Sequence, residues 1–423
     1  MKFKEWKKYK LIDVCTKIGS GSTPRGGASV YKKNGVSLIR SQNIYNNSFV
    51  NTGLVFIDDY AAEKLKNVKI EEKDVLLNIT GDSVARCTIV PKRVLPARVN
   101  QHVCILRANS KYINSFYLKS YLVNNKTQEK MLSLAKSGGT RPALTKSMIE
   151  NLEIDLPPLQ TQEKIASILS ALDDKIEINN EMNKTLEEMA QTLFKRWFID
   201  FDFPNENGEP YRSSGGKMVD SELGEIPEGW IFDNISEFFD ITIGKTPPRK
   251  ETQWFSKNEK DIKWASIKDL GEAGVYILNT GEKITREAIE KFNIKKVESN
   301  TVILSFKLTI GRVVITNEAM ITNEAIAHFT NKNITNITEF LYLYLKNFNY
   351  NSLGNTSSIA TAVNSKIIKN IPFYLPNEKL ISKFNEIITK IFEQIRENQQ
   401  EIQSLTEIRD TLLPKLMSGE VEV

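Results

Sequence analysis

Two stretches of the chain repeat apolar residues at steps of three and four. The first follows Pro157-Pro158 and runs through Ile165, Ile168, Leu169, Leu172, Ile176, Met182, Leu186, Met189 and Leu193. The second follows Pro376 and runs through Phe384, Ile387, Ile388, Ile391, Ile395, Ile402, Leu405, Ile408 and Leu412. This spacing over about four heptads predicts two long helices with a coiled-coil seam. Proline ahead of each stretch marks a helix start. The first helix, from about Leu159 to Trp197, spans roughly 58 Å at ~1.5 Å per residue. With Ile165 and Phe384 as a positions, each seam carries one polar a residue in its middle, Asn179 in the first and Asn398 in the second. Antiparallel packing in register sets these two side by side, where a buried Asn pair fixes register at some cost in stability. Parallel packing pairs them as well. The antiparallel arrangement is favoured because the connection to the second half then need not travel back the length of the helix.

Shorter patterns fill the rest. VLLNIT, CTIV and HVCILR in the first half, and TVILSF and RVVIT in the second, read as strands. FYLKSYLV and EFLYLYLKNF read as short amphipathic helices. The halves echo one another. Shifted by 219 residues, Ala143 meets Ala362, Asn151 meets Asn370, Leu156-Pro157 meets Leu375-Pro376, and Thr192-Leu193 meets Thr411-Leu412. Upstream the echo needs small insertions: VSLIRSQNI (36–44) faces IKWASIKDL (262–270), and Arg86 faces Arg312. The predicted fold class is α+β. Two mixed α/β blocks, residues 1–157 and 228–376, are each followed by a long helix, over 158–198 and 377–423, in a pseudo-two-fold tandem. Residues 199–227, with NENGEP and RSSGG, read as a linker of turns and loops.

Composition excludes several classes. Of 423 residues, 40% are hydrophobic and 26% charged, which is ordinary for globular material. No apolar run approaches the ~18 residues of a membrane span, and no apolar segment follows the basic MKFKEWKKYK start. The three cysteines form no CxxC pair, which argues against a zinc site and fits a reducing cytoplasm. The net charge of +5 is unevenly spread: residues 1–157 hold 26 Lys+Arg against 13 Asp+Glu. That excess points to a polyanion partner for the first block.

Catalytic signatures are missing. The two histidines, His102 and His328, do not occupy equivalent repeat positions, so a duplicated triad or metal centre is not expected. GKT at 244–246 lacks the upstream glycine of a P-loop. Asp58-Asp59 and Asp173-Asp174 read as solvated faces or helix charges. The sequence offers polar, basic loops in duplicate. In the first block these carry Ser22, Thr23 and Arg25; Lys32 and Lys33; Arg40, Gln42 and Asn43; Arg86; and Thr140, Arg141 and Lys146. In the second they carry Lys245, Thr246, Arg249 and Lys250; Ser266 and Lys268; Lys307 and Arg312; and Ser357, Ser358 and Thr361. Arg pairs with guanine, Asn and Gln pair with adenine, and Lys, Ser and Thr hold phosphates. Two unlike readers on one spacer suit a bipartite DNA site. A coiled-coil adaptor with two peptide-binding domains is the alternative, and the basic first block argues against it.

Several segments carry a resemblance: LPPLQTQEKIASILSALDDKIEINN (156–180), LFKRWFIDFDFP (193–204), ELGEIPEGW (222–230), GKTPPRK (244–250), TIGRVVI (309–315) and TLLPKLMSGEV (411–421). Over essentially its whole length the chain resembles the specificity subunit of type I restriction-modification enzymes. The resemblance implies two target recognition domains, each reading half of a split DNA sequence, with the antiparallel helices setting the gap. It also implies a non-catalytic chain without a cofactor of its own. Modification subunits carrying S-adenosylmethionine would dock on it, together with restriction subunits using ATP and Mg. SGSTPR and GKTPPR match the shared pattern unequally.

Overall fold

The apolar runs that read as strands fold as strands buried on both faces, so they are continuous rather than alternating. The computed structural model describes residues 6–137, 141–222, 224–332, 334–354 and 364–423. These form two compact units, one reaching to Ile178 and including Gln403–Val423, the other spanning Asn179–Ile402. Each unit thus takes one mixed α/β block plus part of each long helix, rather than a block and a whole helix.

In the first unit the main strands are β1 (Cys15–Ser20), β2 (Val36–Ile39), β3 (Val55–Ile57), β4 (Val75–Asn78), β5 (Cys87–Ile89), β6 (Ala97–Val99) and β7 (Val103–Ala108). One sheet has the order β1-β7-β4-β5 and the other β3-β2-β6. Their side chains form two cores. One joins Leu77, Leu106, Tyr117 and Leu118 to Ile165 and Leu169 of the first long helix and to Leu416 and Met417 of the second. The other lies around Leu38, Ile57, Val99 and Ile105.

In the second unit the strands are β8 (Phe239–Ile243), β9 (Phe255–Ser256), β10 (Ile262–Ala265), β11 (Tyr276–Ile277), β12 (Glu282–Ile284), β13 (Val302–Ser305), β14 (Val313–Thr316), β15 (Ile321–Thr322) and β16 (Ile326–Asn331). The sheet orders are β8-β16-β13-β14-β11 and β9-β12-β10-β15. The main core here is aromatic: Phe198 meets both Phe340 and Phe384 edge-on at 4.8 Å, the geometry that ring quadrupoles favour.

The long helices run Leu159–Phe194 and Glu378–Ser418. The first continues as a π turn over Lys195–Ile199, which aims Trp197 and Phe198 into the aromatic core. Within the second unit, Asn179 Nδ2 donates to Glu401 Oε2 (2.7 Å) and Asn398 Nδ2 donates to Asn183 Oδ1 (2.9 Å), so the helices there are antiparallel. Both asparagines are buried in the seam, as the spacing predicts, but they do not bond each other. Each reaches one helical turn past its counterpart, because facing knobs in a seam pack beside one another rather than head-on.

Two other expectations change. Residues 199–227 are not a loose linker. They carry a hairpin (Met218–Ser221 with Gly224–Pro227), and Phe203 stacks on Tyr211 at 4.6 Å and against Trp230. Asp173 is not a solvated helix charge: it sits between Lys119 Nζ at 2.5 Å and Arg409 Nη1 at 2.9 Å, with all three side chains largely buried.

Candidate nucleic-acid interface

Strand register brings the polar loops to one end of each unit. In the first, Ser20 of β1 lies opposite Cys104 of β7, and Asn78 of β4 opposite Val103. Strands β2 and β6 run parallel and end together at Ile39 and Val99. Loops 21–25, 40–43, 79–86 and 100–102 therefore leave from a common edge. The second unit repeats this register, with Ile243 opposite Ala327, Ser305 opposite Ile326, and Ala265 beside Thr322. Its loops 244–250, 266–269, 306–312 and 323–325 leave together.

The backbone frame of this edge is built twice. Gly21 N and Ser22 N donate to Val103 O (2.9 Å) and Val99 O (3.0 Å), while Gly244 N and Lys245 N donate to Ile326 O (3.2 Å) and Thr322 O (3.0 Å). Only glycine fits at the first position: a Cβ on Gly21 would lie 2.1 Å from Val99 O, and one on Gly244 would lie 2.1 Å from Thr322 Oγ1. Asn100 N reaches Ile39 O and Asn323 N reaches Ala265 O, each at 3.0 Å. Asn100 Oδ1 then accepts from His102 N and Asn323 Oδ1 from Ala325 N, each at 3.1 Å. Arg40 N donates to Asn43 Oδ1 (3.0 Å), as Ser266 N donates to Asp269 Oδ2 (2.8 Å).

Several sequence-nominated residues belong to this frame. Asn43 is fully buried, and its amide also donates to Val50 O and Thr52 O. Ser266 caps the helix Ile267–Glu272. Gln42 Nε2 donates to Gly53 O, and so does the Arg40 guanidinium.

The side chains mounted on the frame differ between units. Thr23 bonds Gln101, Gln101 Nε2 contacts His102 Nε2 at 3.2 Å, and His102 Nδ1 contacts Thr80 Oγ1 at 2.6 Å. In the second unit Thr246 bonds Glu324, a carboxylate at the position of Gln101. Gln101, Thr80 and Glu324 escape the sequence reading, which takes His102 only as one of two histidines at inequivalent repeat positions.

Arg86 and Arg312, equivalent in sequence, are used differently. In the first unit Asn78 Nδ2 satisfies Ser41 O at 2.9 Å, and Arg86 lies over the Tyr45 ring at 4.5 Å. In the second unit Ser305 stands at the place of Asn78 and is too short to reach. Arg312 Nη1 satisfies the matching carbonyl, Ile267 O, at 2.5 Å.

Cation availability also differs. Arg25, Lys32, Lys33 and Arg141 are exposed, and among the described residues none forms an ion pair. The Arg141 segment is tied to the same edge by Gly81 N to Pro142 O (3.0 Å) and Leu144 N to Ile79 O (2.8 Å). Lys146 pairs with Glu150 at 3.4 Å. In the second unit Arg249 pairs with Glu282 at 2.8 Å and stacks on Phe255 and Trp264. Lys245 Nζ donates to Phe292 O (2.7 Å), and Lys268 lies 3.7 Å from Glu272. Lys250 and Lys307 are exposed. Thr140, Ser357, Ser358 and Thr361 lie outside the described residues.

Histidine 328 is internal. It is 1% exposed, with Thr242 Oγ1 at Nδ1 (3.1 Å) and Thr322 Oγ1 at Nε2 (2.6 Å). Burial, aided by Lys295, pulls its pKa down to about 4, so it is neutral. Among the described residues no helix is long and apolar enough to cross a membrane.

Known proteins are similar to this chain over nearly its whole length. The family described as "Type I restriction modification DNA specificity domain" matches residues 3–188 and again residues 227–408. The chain is 26% identical over 471 residues to the type I restriction enzyme HindI specificity subunit of Haemophilus influenzae, covering 99% of this chain and 100% of that one. It is 26% identical over 429 residues to the MjaIX specificity subunit of Methanocaldococcus jannaschii, covering 99% and 94%. The crystal structure of the type I restriction-modification S subunit from M. genitalium matches with a TM-score of 0.61 at 15% identity, covering 97% and 96%, which is a likeness of fold. With both halves matched and the polar edge built once in each, the chain belongs to the type I restriction modification DNA specificity domain family.

Proposed function

We propose that the chain is the DNA-sequence-specificity subunit of a type I restriction-modification complex, with each unit's polar edge reading one half of a split site. The observation that carries this reading is the duplicated frame with unlike side chains. A shared frame presents the same edge twice, while Gln101 against Glu324 and a stacked Arg86 against an anchored Arg312 present different donors and acceptors. An amide can serve adenine, whereas a carboxylate accepts from cytosine N4. Two different codes on one frame suit an asymmetric two-part sequence.

In this reading the long helices set the gap between half-sites and carry the modification subunits, with the restriction subunits completing the complex in the cytoplasm. S-adenosylmethionine, ATP and Mg belong to those partners. This chain's residues position DNA and perform no covalent step. The test is to co-express the chain with its modification subunit and map methyladenine across host DNA at single-base resolution. Two defined half-sites with a fixed gap are expected. A stable complex with an active modification subunit that leaves no such motif would defeat the reading and bring the peptide adaptor forward.

A further inference from the structure

One side chain on the second unit's polar edge is apolar and touches nothing. Leu308, in the loop between β13 and β14, is 98% exposed. A lone exposed leucine is ordinary, but this one sits at φ +62°, a left-handed conformation that a branched L residue adopts only when its surroundings impose it. What imposes it is Ser305, which is fully buried. Its hydroxyl donates to Thr309 O (2.6 Å) and accepts from Arg312 N (3.1 Å). Gly311 N returns to Ser305 O (3.0 Å), and Thr309 N closes a tight turn on Lys307 O (2.7 Å). The backbone is thus stitched from within while the Leu308 side chain is held outward. Lys307 beside it is exposed, and the partly exposed Ile310 widens the apolar tip. The matching loop of the first unit has Asp82 and Ser83 at its turn and no apolar tip.

We infer that Leu308 is a specificity-determining residue that reads the C5-methyl group of a thymine in the half-site of the second unit, with Lys307 on the neighbouring phosphate. The inference rests on the DNA-reading function proposed above. Thymine alone among the bases offers a methyl group in the major groove, and an apolar side chain is its complement. A wedge driven between stacked bases fits less well. Unstacking must be forced, and a side chain with no packing behind it gives no resistance, whereas a methyl contact requires none.

The experiment uses the full chain assembled with its modification subunits. Binding is measured to a duplex carrying the mapped split sequence, with each thymine replaced in turn by uracil, which lacks only the methyl. One position in one half-site is expected to lose about fourfold in affinity, the worth of burying a single methyl group. Leu308→Ala should weaken the parent duplex at least as much and become indifferent to uracil at that position. Because Leu308 has no contacts to lose, this variant keeps its fold, checked by its melting temperature. Unchanged uracil sensitivity in Leu308→Ala would overturn the inference. So would an equal loss on mapped and scrambled duplexes, or an unstacked base step reported by 2-aminopurine in wild type and lost in the variant. If the wild-type complex shows no preference for the mapped duplex over a scrambled one, the DNA-reading function itself fails, and the inference falls with it.

Discussion

At the residue scale, repeat equivalence does not mean equal work. Arg86 and Arg312 align, yet one lies over a tyrosine ring at the edge and the other closes a backbone hydrogen bond. Arg312→Ala should therefore lower the stability of the second unit by about 1–3 kcal/mol, because Ile267 O is left without its donor. Arg86→Ala should leave melting almost unchanged and weaken DNA binding. Thermal melts and anisotropy on both variants check this, and matching effects would refute it. Burial of His328 makes a second prediction. Its pKa falls from the ordinary 6.5 to about 4 in the fold. The unfolded chain binds the proton first as pH drops, so stability is full above pH 6.5 and declines toward pH 4. The slope approaches about 1.4 kcal/mol per pH unit. Urea unfolding between pH 7 and 5 should show it, and His328→Gln should flatten it; an equal slope in the variant would assign the effect elsewhere.

At the element scale, the long helices were legible because a core-facing stripe must recur every three to four residues whatever it packs on. Their contacts were not. Asn179 and Asn398 were placed in the seam by spacing alone, but their partners Glu401 and Asn183 follow from how the knobs interleave. Asp173 read as a surface charge because nothing local announces Lys119, 54 positions away in sequence. That triad predicts a large effect. Asp173→Ala removes the carboxylate bonded to both Lys119 and Arg409, leaving Arg409 with Asp410 alone, and should cost the first unit about 3–5 kcal/mol in chemical unfolding. A change under ~1 kcal/mol would show the triad to be effectively solvated.

At the scale of the whole molecule, charge and exposure combine. The first block carries the excess of basic residues, and Arg25, Lys32, Lys33 and Arg141 are exposed without ion pairs among the described residues. Replacing these four with glutamine in the full chain should reduce the slope of log affinity against log salt by about 0.9 for each one that neutralises a phosphate. The same change at Lys245, Lys268, Arg249 and Arg312 should reduce it less, since these are engaged within the protein. Equal reductions would show that internal pairing does not govern phosphate contact here.

The amino-acid sequence by itself determined the tandem, the strand-rich blocks, the two helices and their polar mid-points. Each of these is written in local periodicity or in self-similarity, which need no knowledge of distant contacts. It also nominated the loops at the polar edge, since Gly, Ser, Thr and basic residues cluster where strands end. Only the tertiary structure decided which of those side chains are spent on the backbone frame and which stay exposed on it. Asn43 and Ser266 disappear into the frame, while Gln101, Glu324 and Leu308 stand exposed on it at positions that residue type alone does not nominate. The division has one cause: a side chain's availability depends on which backbone carbonyls and amides its neighbours have left unsatisfied, and that is settled between residues far apart in the chain.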